Sequence, residues 1–347
     1  MSTIKEVARL AGVSVGTVSH VISGTVTVSE QLRRKVTGAI RTLDYHPNHI
    51  ARSLKTSRTR TLGIVVPDMT IPFFPQVIRG AEAAATTQNY YLIAVNSDDD
   101  LKRQREVLSL LRSQRVDGIL LVMAPGQGSI TQINQIVESG IPVVCLDRLP
   151  EELSIDSVCV DDCAAADMGV SHLISMGHER IAILTGPLTL KNEQHRLRGY
   201  ENALARAGLT AEAALRWEGN FQQEKVVRIC QEHLLGVSRR PTALFSTNGV
   251  TGLGVLKGLH ACGLNTPDEI AFATFDELTV EEVFRPAITT VVQPAYDIGC
   301  RATEILIDRI EGGVLGDSKV EVRLPATLKI RESSLASGHL LRTGAPA

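Results

Sequence analysis

At 347 residues, with 36 Lys and Arg against 38 Asp and Glu, the chain is close to neutral at −2 and long enough for two or three domains with substantial cores. No stretch reaches the ~18 apolar residues of a membrane span, and the N-terminus lacks the apolar region and small-residue cleavage site of a secretory signal, so a soluble cytoplasmic protein with no membrane contact is expected. The six cysteines (Cys145, Cys159, Cys163, Cys230, Cys262 and Cys300) form no C-x-x-C pair and have no His at zinc-ligand spacing; they read as small buried hydrophobes, and no metal or cofactor is expected.

The first predicted helix holds Ile4, Val7, Ala8 and Leu10 at helical spacing, and Ala11-Gly12-Val13 interrupts it where a tight turn needs a residue without a Cβ. Ser14 caps a second helix whose inward stripe is Val18, Val21 and Ile22. Val15, Gly16, Thr17, Ser19 and His20 are then left on or near its outer, N-terminal side. That is how a recognition helix presents short side chains to base edges in the major groove, although a small three-helix domain of any function can show such stripes. Ser29 caps a third helix running to about Leu43, with Leu32, Val36, Ala39, Ile40 and Leu43 closing the core.

Pro47-Asn48 follows, and Asn48 can cap one or two turns from His49 to Leu54, a helix too short to be stable alone in water. It is expected to fold only on meeting its partner. Residues 1–60 carry ten Lys and Arg against three acids, a balance of +7, so the remainder carries −9. A basic head on an acidic body places a polyanion-binding surface at the N-terminus.

From Thr61 onward, apolar strands alternate with amphipathic helices. Strands are predicted at Leu62–Pro67, Tyr91–Val95, Gly118–Met123 and Pro142–Leu146, with a second set at Ser157–Val160, Ile181–Leu184, Ala243–Ser246, Ile270–Phe275 and Thr290–Gln293. Helices are predicted at Phe74–Thr87, Leu101–Arg115, Cys163–Met176, Arg196–Ala207, Gly249–Cys262 and Ala295–Ile310. This pattern implies two doubly wound parallel sheets, one after the other, with a cleft between two lobes. Ligands of such sheets lie beyond the carboxyl ends of the strands.

In order along the chain come Ile4-Lys-Glu-Val-Ala8, Gly12-Val-Ser14, Thr17-Val-Ser19, Pro47-Asn48, Ala51-Arg-Ser-Leu54, Pro72-Phe-Phe74, Val116-Asp-Gly-Ile119, Asp147-Arg148, Gly177-His-Glu-Arg-Ile-Ala182, Arg196-Leu-Arg-Gly-Tyr200, Phe275-Asp276 and Gln293-Pro294. Their order and spacing resemble the lactose/galactose-repressor (LacI/GalR) family of bacterial transcription regulators from Thr3 to about Ser333. Within it, Thr17-Val-Ser-His20 and Ala51-Arg-Ser-Leu-Lys55 resemble the ribose- and purine-repressor branch. The resemblance implies an all-α helix-turn-helix head (1–46), a hinge helix and linker (47–60), a periplasmic-binding-protein-like two-lobed α/β body (61–334) that binds effector and dimerises, and a disordered tail (335–347).

By that resemblance the partners are a palindromic double-stranded DNA operator, a second copy of the chain and a small-molecule effector. Thr3, Ser14, Val15, Gly16, Thr17, Ser19 and His20 would face DNA. His20 would reach N7 or O6 of guanine or else a phosphate, and Val15 a thymine methyl. Leu54 from each hinge helix would wedge a central base step in the minor groove, with Asn48 and Lys55 near the backbone.

The resemblance also places an effector among Phe73, Phe74, Asp147, Arg148, Arg196, Phe221, Asn248, Asp276 and Gln293. Aromatic faces would sandwich a ring, and the polar groups would meet hydroxyls. Structural readings stand beside this: Asp147 and Asp276 as helix caps, and Arg196 paired with Glu193 on the surface. Ile71 replaces a polar residue common in the family. Leu190 and the Thr189–Glu193 segment lack the Arg and Thr expected of a purine binder. A sugar or sugar derivative is therefore expected, with Arg148 and Arg196 leaving room for an acidic one. No G-x-G-x-x-G or G-x-x-x-x-G-K-[ST] lies at a strand–helix turn and no Ser-His-Asp motif is present, so an enzyme is not expected. A regulator controlled by a protein corepressor or a nucleoside-type ligand is the alternative.

Overall fold

The structure, a computed structural model, describes residues 2–23, 28–45, 58–126, 128–148, 154–278, 285–312 and 318–335. The predicted hinge helix, with Asn48, Leu54 and Lys55, and the tail beyond Leu335 lie outside the described residues. The chain divides into two compact units, Met1–Thr59 and Arg60–Ala347.

In the first unit, α1 (Ile4–Ala11), α2 (Val15–Ser23) and α3 (Glu30–Thr42) close around Val7, Ala8, Ala11, Val18, Val36 and Ala39. Thr3 starts α1 through a capping box: its hydroxyl accepts from the Glu6 backbone while Glu6 accepts from the Thr3 N–H at 2.7 Å. Gly12 ends α1 at φ +65°, a left-handed cap for which a side chain would be strained. Ser29 caps α3 as expected. Leu10 departs from the expected stripe: it is exposed, and Ala11 takes the buried place.

In the second unit, one six-stranded sheet has the order β11-β5-β4-β3-β1-β2, from β1 (Thr61–Val66), β2 (Tyr91–Asn96), β3 (Gly118–Leu121), β4 (Val143–Leu146), β5 (Asp156–Val160) and β11 (Glu321–Leu324). The other, β12-β10-β9-β8-β6-β7, contains β6 (Ile181–Thr185), β7 (Arg216–Glu218), β8 (Ala243–Ser246), β9 (Ala271–Phe275), β10 (Thr289–Val292) and β12 (Thr327–Lys329). All pairings are parallel except β10–β12. The central strands are apolar because helices cover both faces.

The lobes do not simply follow one another. β5, grouped by sequence with the second set, belongs to the first sheet. After β10 the chain returns through α11 (Ala295–Glu311), which packs on α4 (Phe73–Thr87) and across β3, β4 and β5, before β11 joins the first sheet and β12 the second. The α4–α11 crossing is backbone against backbone. A Cβ on Gly80 would lie 2.0 Å from the Tyr296 carbonyl oxygen, and one on Gly299 2.0 Å from that of Val77.

The remaining helices are α5 (Leu101–Ser113), α6 (Gly128–Glu138), α7 (Asp162–Ser175), α8 (Lys191–Arg206), α9 (Gln223–Leu234) and α10 (Gly249–Cys262). The sequence reading placed helices in the intervals between strands, one of them after Phe221, without giving bounds for α6 or α9, and it did not include β7, β11 or β12. Gly199 lets α8 press onto α7, since a Cβ there would meet the Cys163 carbonyl at 2.2 Å. This contact brings Asp162 and Arg196 together. No helix among the described residues is long and apolar enough to cross a membrane.

Candidate functional site

On the head, the N-terminal end of α2 stands clear of the core. Ser14, Val15, Gly16 and His20 are exposed, Thr17 and Ser19 half-buried, and Val18 between them is buried. The Ser14 hydroxyl accepts from the Thr17 N–H at 3.1 Å and lies 2.9 Å from the Thr17 hydroxyl, so these two side chains fix the first turn. Thr3 is engaged in its capping box. A Cβ at Gly16 would have only Ser14 Oγ near it, at 3.6 Å, so the surface beside Val15 is flat and open.

In the second unit a cavity of about 850 Å³ lies beyond the carboxyl ends of strands from both sheets, and all nine residues singled out from sequence line it. Phe73 and Phe74 at the start of α4 meet edge to face, with centroids 5.2 Å apart. Asp147 and Arg148 follow β4, Phe221 follows β7, Asn248 follows β8, Asp276 follows β9 and Gln293 follows β10. Six of the ten non-glycine residues with positive φ among the described residues line this cavity: Asp98, Asp99, Asp147, Asn220, Phe221 and Asp276. Left-handed backbone is uncommon outside glycine, tolerated by Asp and Asn and strained at Phe221, and its concentration here marks a site whose shape the surrounding packing enforces.

Arg196 is the hub. Rather than a surface pair with Glu193, both are buried: Arg196 is 2% exposed and Glu193 0%. Its Nε donates to Asp162 Oδ1 at 2.7 Å, Nη1 donates to the Thr247 carbonyl at 2.8 Å, and the guanidinium lies 3.9 Å from the Phe275 ring centroid. Nη2 has no hydrogen-bond partner. Burial works against its charge, but Asp162, Glu193, Asp147 and Asp276 outweigh that and hold its pKa above the ordinary value.

The same burial acts on the carboxyls. It pushes Asp162 up to about 7 and Asp276 up to about 6, with Arg196 pulling each the other way. Glu193 is raised too, although it accepts from the Gly186 N–H, the Thr247 hydroxyl and Asn248 Nδ2. Asn248 also caps α10, accepting from the Thr251 N–H at 2.8 Å, so both ends of its amide are occupied. Asp276 accepts from Gln293 Nε2 at 2.7 Å and from the Gly249 backbone at the start of α10, so it supports that helix as well as lining the cavity.

Arg148 is held by a residue the sequence reading missed. Its Nη1 and Nη2 donate to the two oxygens of Asp99 at 2.5 and 3.1 Å, Nη1 also donates to the Met123 carbonyl, and the guanidinium lies 5.7 Å from the Phe221 centroid. Asp99 and Asp162 each follow a strand or sit at the helix start beyond one, so the strand-end rule that picked out Asp147 would also have picked them out. No group of three or more His, Cys, Asp or Glu among the described residues is placed to hold a metal ion.

Comparison with known proteins gives this geometry a family. Residues 59–332 match the model described as periplasmic binding proteins and sugar binding domain of LacI family, and residues 3–48 match bacterial regulatory proteins, lacI family. The chain is 37% identical over 313 residues to the HTH-type transcriptional repressor PurR of Vibrio atlanticus, covering 90% of this chain and 92% of the relative. It is 34% identical over 322 residues to the ribose operon repressor of Escherichia coli, covering 93% and 97%. A solved structure of the transcriptional regulator CelR–cellobiose complex shares 31% identity and a TM-score of 0.72, covering 96% of this chain and all of that one. With a helix-turn-helix head, a two-lobed α/β body and full-length relatives that are repressors, the chain belongs to the LacI family of bacterial regulatory proteins and is a DNA-binding transcriptional repressor of its ribose- and purine-repressor branch.

Proposed function

We propose that the protein is an effector-controlled repressor of a carbohydrate-use operon, binding a palindromic operator as a homodimer and a sugar or sugar derivative in the cleft. The observation that carries this reading is the convergence of Phe73, Phe74, Arg148, Arg196, Phe221, Asp276 and Gln293 on one cavity, where aromatic faces stand beside hydrogen-bonding groups. A cellobiose complex of a relative with the same two-lobed body supports the sugar class. On the head, Val15, Gly16 and His20 are exposed at the end of α2 that would face base edges, and the +7 balance of residues 1–60 supports phosphate attraction. Asn48, Leu54 and Lys55 would enter or flank the minor groove.

The effector shifts DNA affinity only by its differential affinity for two arrangements of the body. A thermal-shift screen of the full chain against pentoses, hexoses and nucleosides tests the ligand class. A sugar that raises the melting temperature supports the reading, because a ligand that selects the native state stabilises it by mass action. Stabilisation by nucleosides alone would overturn the sugar assignment.

A further inference from the structure

The cavity's two arginines look at first like a receptor for an acidic sugar, but their hydrogen bonds argue the opposite. Both Nη atoms of Arg148 are taken by Asp99, and Nε and Nη1 of Arg196 by Asp162 and the Thr247 carbonyl. Each guanidinium is neutralised before a ligand arrives. Each guanidinium keeps some of its five N–H groups, and the buried nitrogens left with no hydrogen-bond partner at all are Arg148 Nε and Arg196 Nη2, to which Gln293 Oε1 adds an acceptor in the same state. Arg148 is 6%, Arg196 2% and Gln293 6% exposed. Between the two spare donors lies the Asp147 carboxylate, with Oδ2 3.9 Å from Arg148 Nε and Oδ1 3.7 Å from Arg196 Nη2, both beyond hydrogen-bonding range.

An N–H, a carboxylate oxygen and a gap between them suit a group that accepts from one side and donates to the other. A hydroxyl does both; a carboxylate or phosphate only accepts, and an ammonium only donates. The two oxygens belong to one carboxylate, so two hydroxyls bound there must be neighbours on the ligand. An anionic group seated there would leave the Asp147 carboxylate and Gln293 Oε1 without a hydrogen-bond donor and would add its charge to a cavity lined by seven carboxylates and two already-paired guanidiniums.

Building on the sugar reading above, we infer that the cleft selects an uncharged ligand carrying adjacent hydroxyls over the carboxylate or phosphate form of the same ligand, and that Asp99 is a specificity-determining residue because it keeps Arg148 from pairing with an anion. Asp99 sits on left-handed backbone at φ +53°, which Asn also adopts readily, so Asp99→Asn removes the charge and keeps the loop.

The test is calorimetric titration of the full chain, wild type and Asp99→Asn, with D-ribose, D-xylose, D-glucose and D-galactose, each beside its terminal phosphate and, for the hexoses, its uronate. The expected result is that at least one neutral sugar binds, that its anionic forms bind at least tenfold more weakly, and that Asp99→Asn narrows this ratio at least tenfold. An anionic form binding wild type as tightly as its neutral parent would overturn the inference while leaving the sugar reading intact. So would a folded Asp99→Asn protein with an unchanged ratio. If the variant fails to fold, the wild-type ratio decides. Silence across neutral and anionic sugars alike would remove the sugar reading and this inference with it.

Discussion

Arg196 and Asp147 face each other across the cleft at 3.7 Å, one from α8 of the second lobe and the other from the end of β4 in the first. The distance is short enough for attraction and too long for a hydrogen bond, so the pair is an incomplete bridge between lobes. A ligand hydroxyl seated between them would complete it and favour the arrangement in which the lobes stand at this separation.

Removing Arg196 should be costly. Arg196→Ala leaves Asp162 and Glu193 buried without their cation, and loss of one partner of a buried pair costs about 3–5 kcal/mol. Urea denaturation should show that drop; a loss below about 1 kcal/mol, the range of exposed ion pairs, would contradict the buried hub.

The hub also gives a pH signature. The folded-state pKa of Asp162 is raised to about 7 from the ordinary 3.8 and that of Asp276 to about 6, so between about pH 4 and 7 the folded state binds more protons than the unfolded chain. Their contribution to stability therefore falls as pH rises through that window and levels off above it. The stability of wild type relative to Asp162→Asn should decrease from pH 5 to pH 7. A flat or rising difference in urea midpoints would contradict the raised carboxyl.

Gly80→Ala should strain the α4–α11 crossing, because the added methyl falls 2.0 Å from the Tyr296 carbonyl oxygen and meets backbone instead of a movable side chain. Overpacking of this kind costs about 1–3 kcal/mol, a drop of several degrees in Tm. Gly38→Ala, where a Cβ meets nothing within 4 Å, is the control and should not destabilise.

Leu54→Ala should weaken operator binding by more than tenfold while the cleft ligand still binds, as expected if a minor-groove wedge is lost and the body stays folded. Anisotropy titration with operator DNA checks it, and an unchanged affinity would remove Leu54 from the wedge role.

Most of the elements were legible because they depend on local periodicity. The stripe of Val7, Val18 and Val36, the Ser14 and Ser29 caps and the apolar central strands were all readable from neighbours in the chain. What was not legible depends on non-local pairing. Nothing in Ser157-Val-Cys-Val160 tells which sheet it joins, and the short polar strands β7, β11 and β12 acquire their state only from the partners they extend. Leu10 failed because an apolar residue on an otherwise good helix face need not be buried. At the site, the residues that line the cavity were found through strand ends and family motifs. Asp99 and Asp162 were overlooked because carboxylates in acidic runs, Asp98-Asp-Asp100 and Asp161-Asp162, read locally as solvated loop charges. The burial of Asp162 and the half-burial of Asp99 follow from the Arg196 and Arg148 that the fold sets beside them.

Occupancy of the cleft should set the affinity of the head for DNA. The decisive measurement is the affinity of the full chain for a palindromic duplex, selected by the protein from a random-sequence pool, with and without a saturating sugar identified by thermal shift. The sugar should change the Kd at least fivefold in either direction, and Arg196→Lys, if it abolishes sugar binding, should abolish the change as well. A sugar that occupies the cleft yet leaves operator affinity unchanged would contradict this coupling.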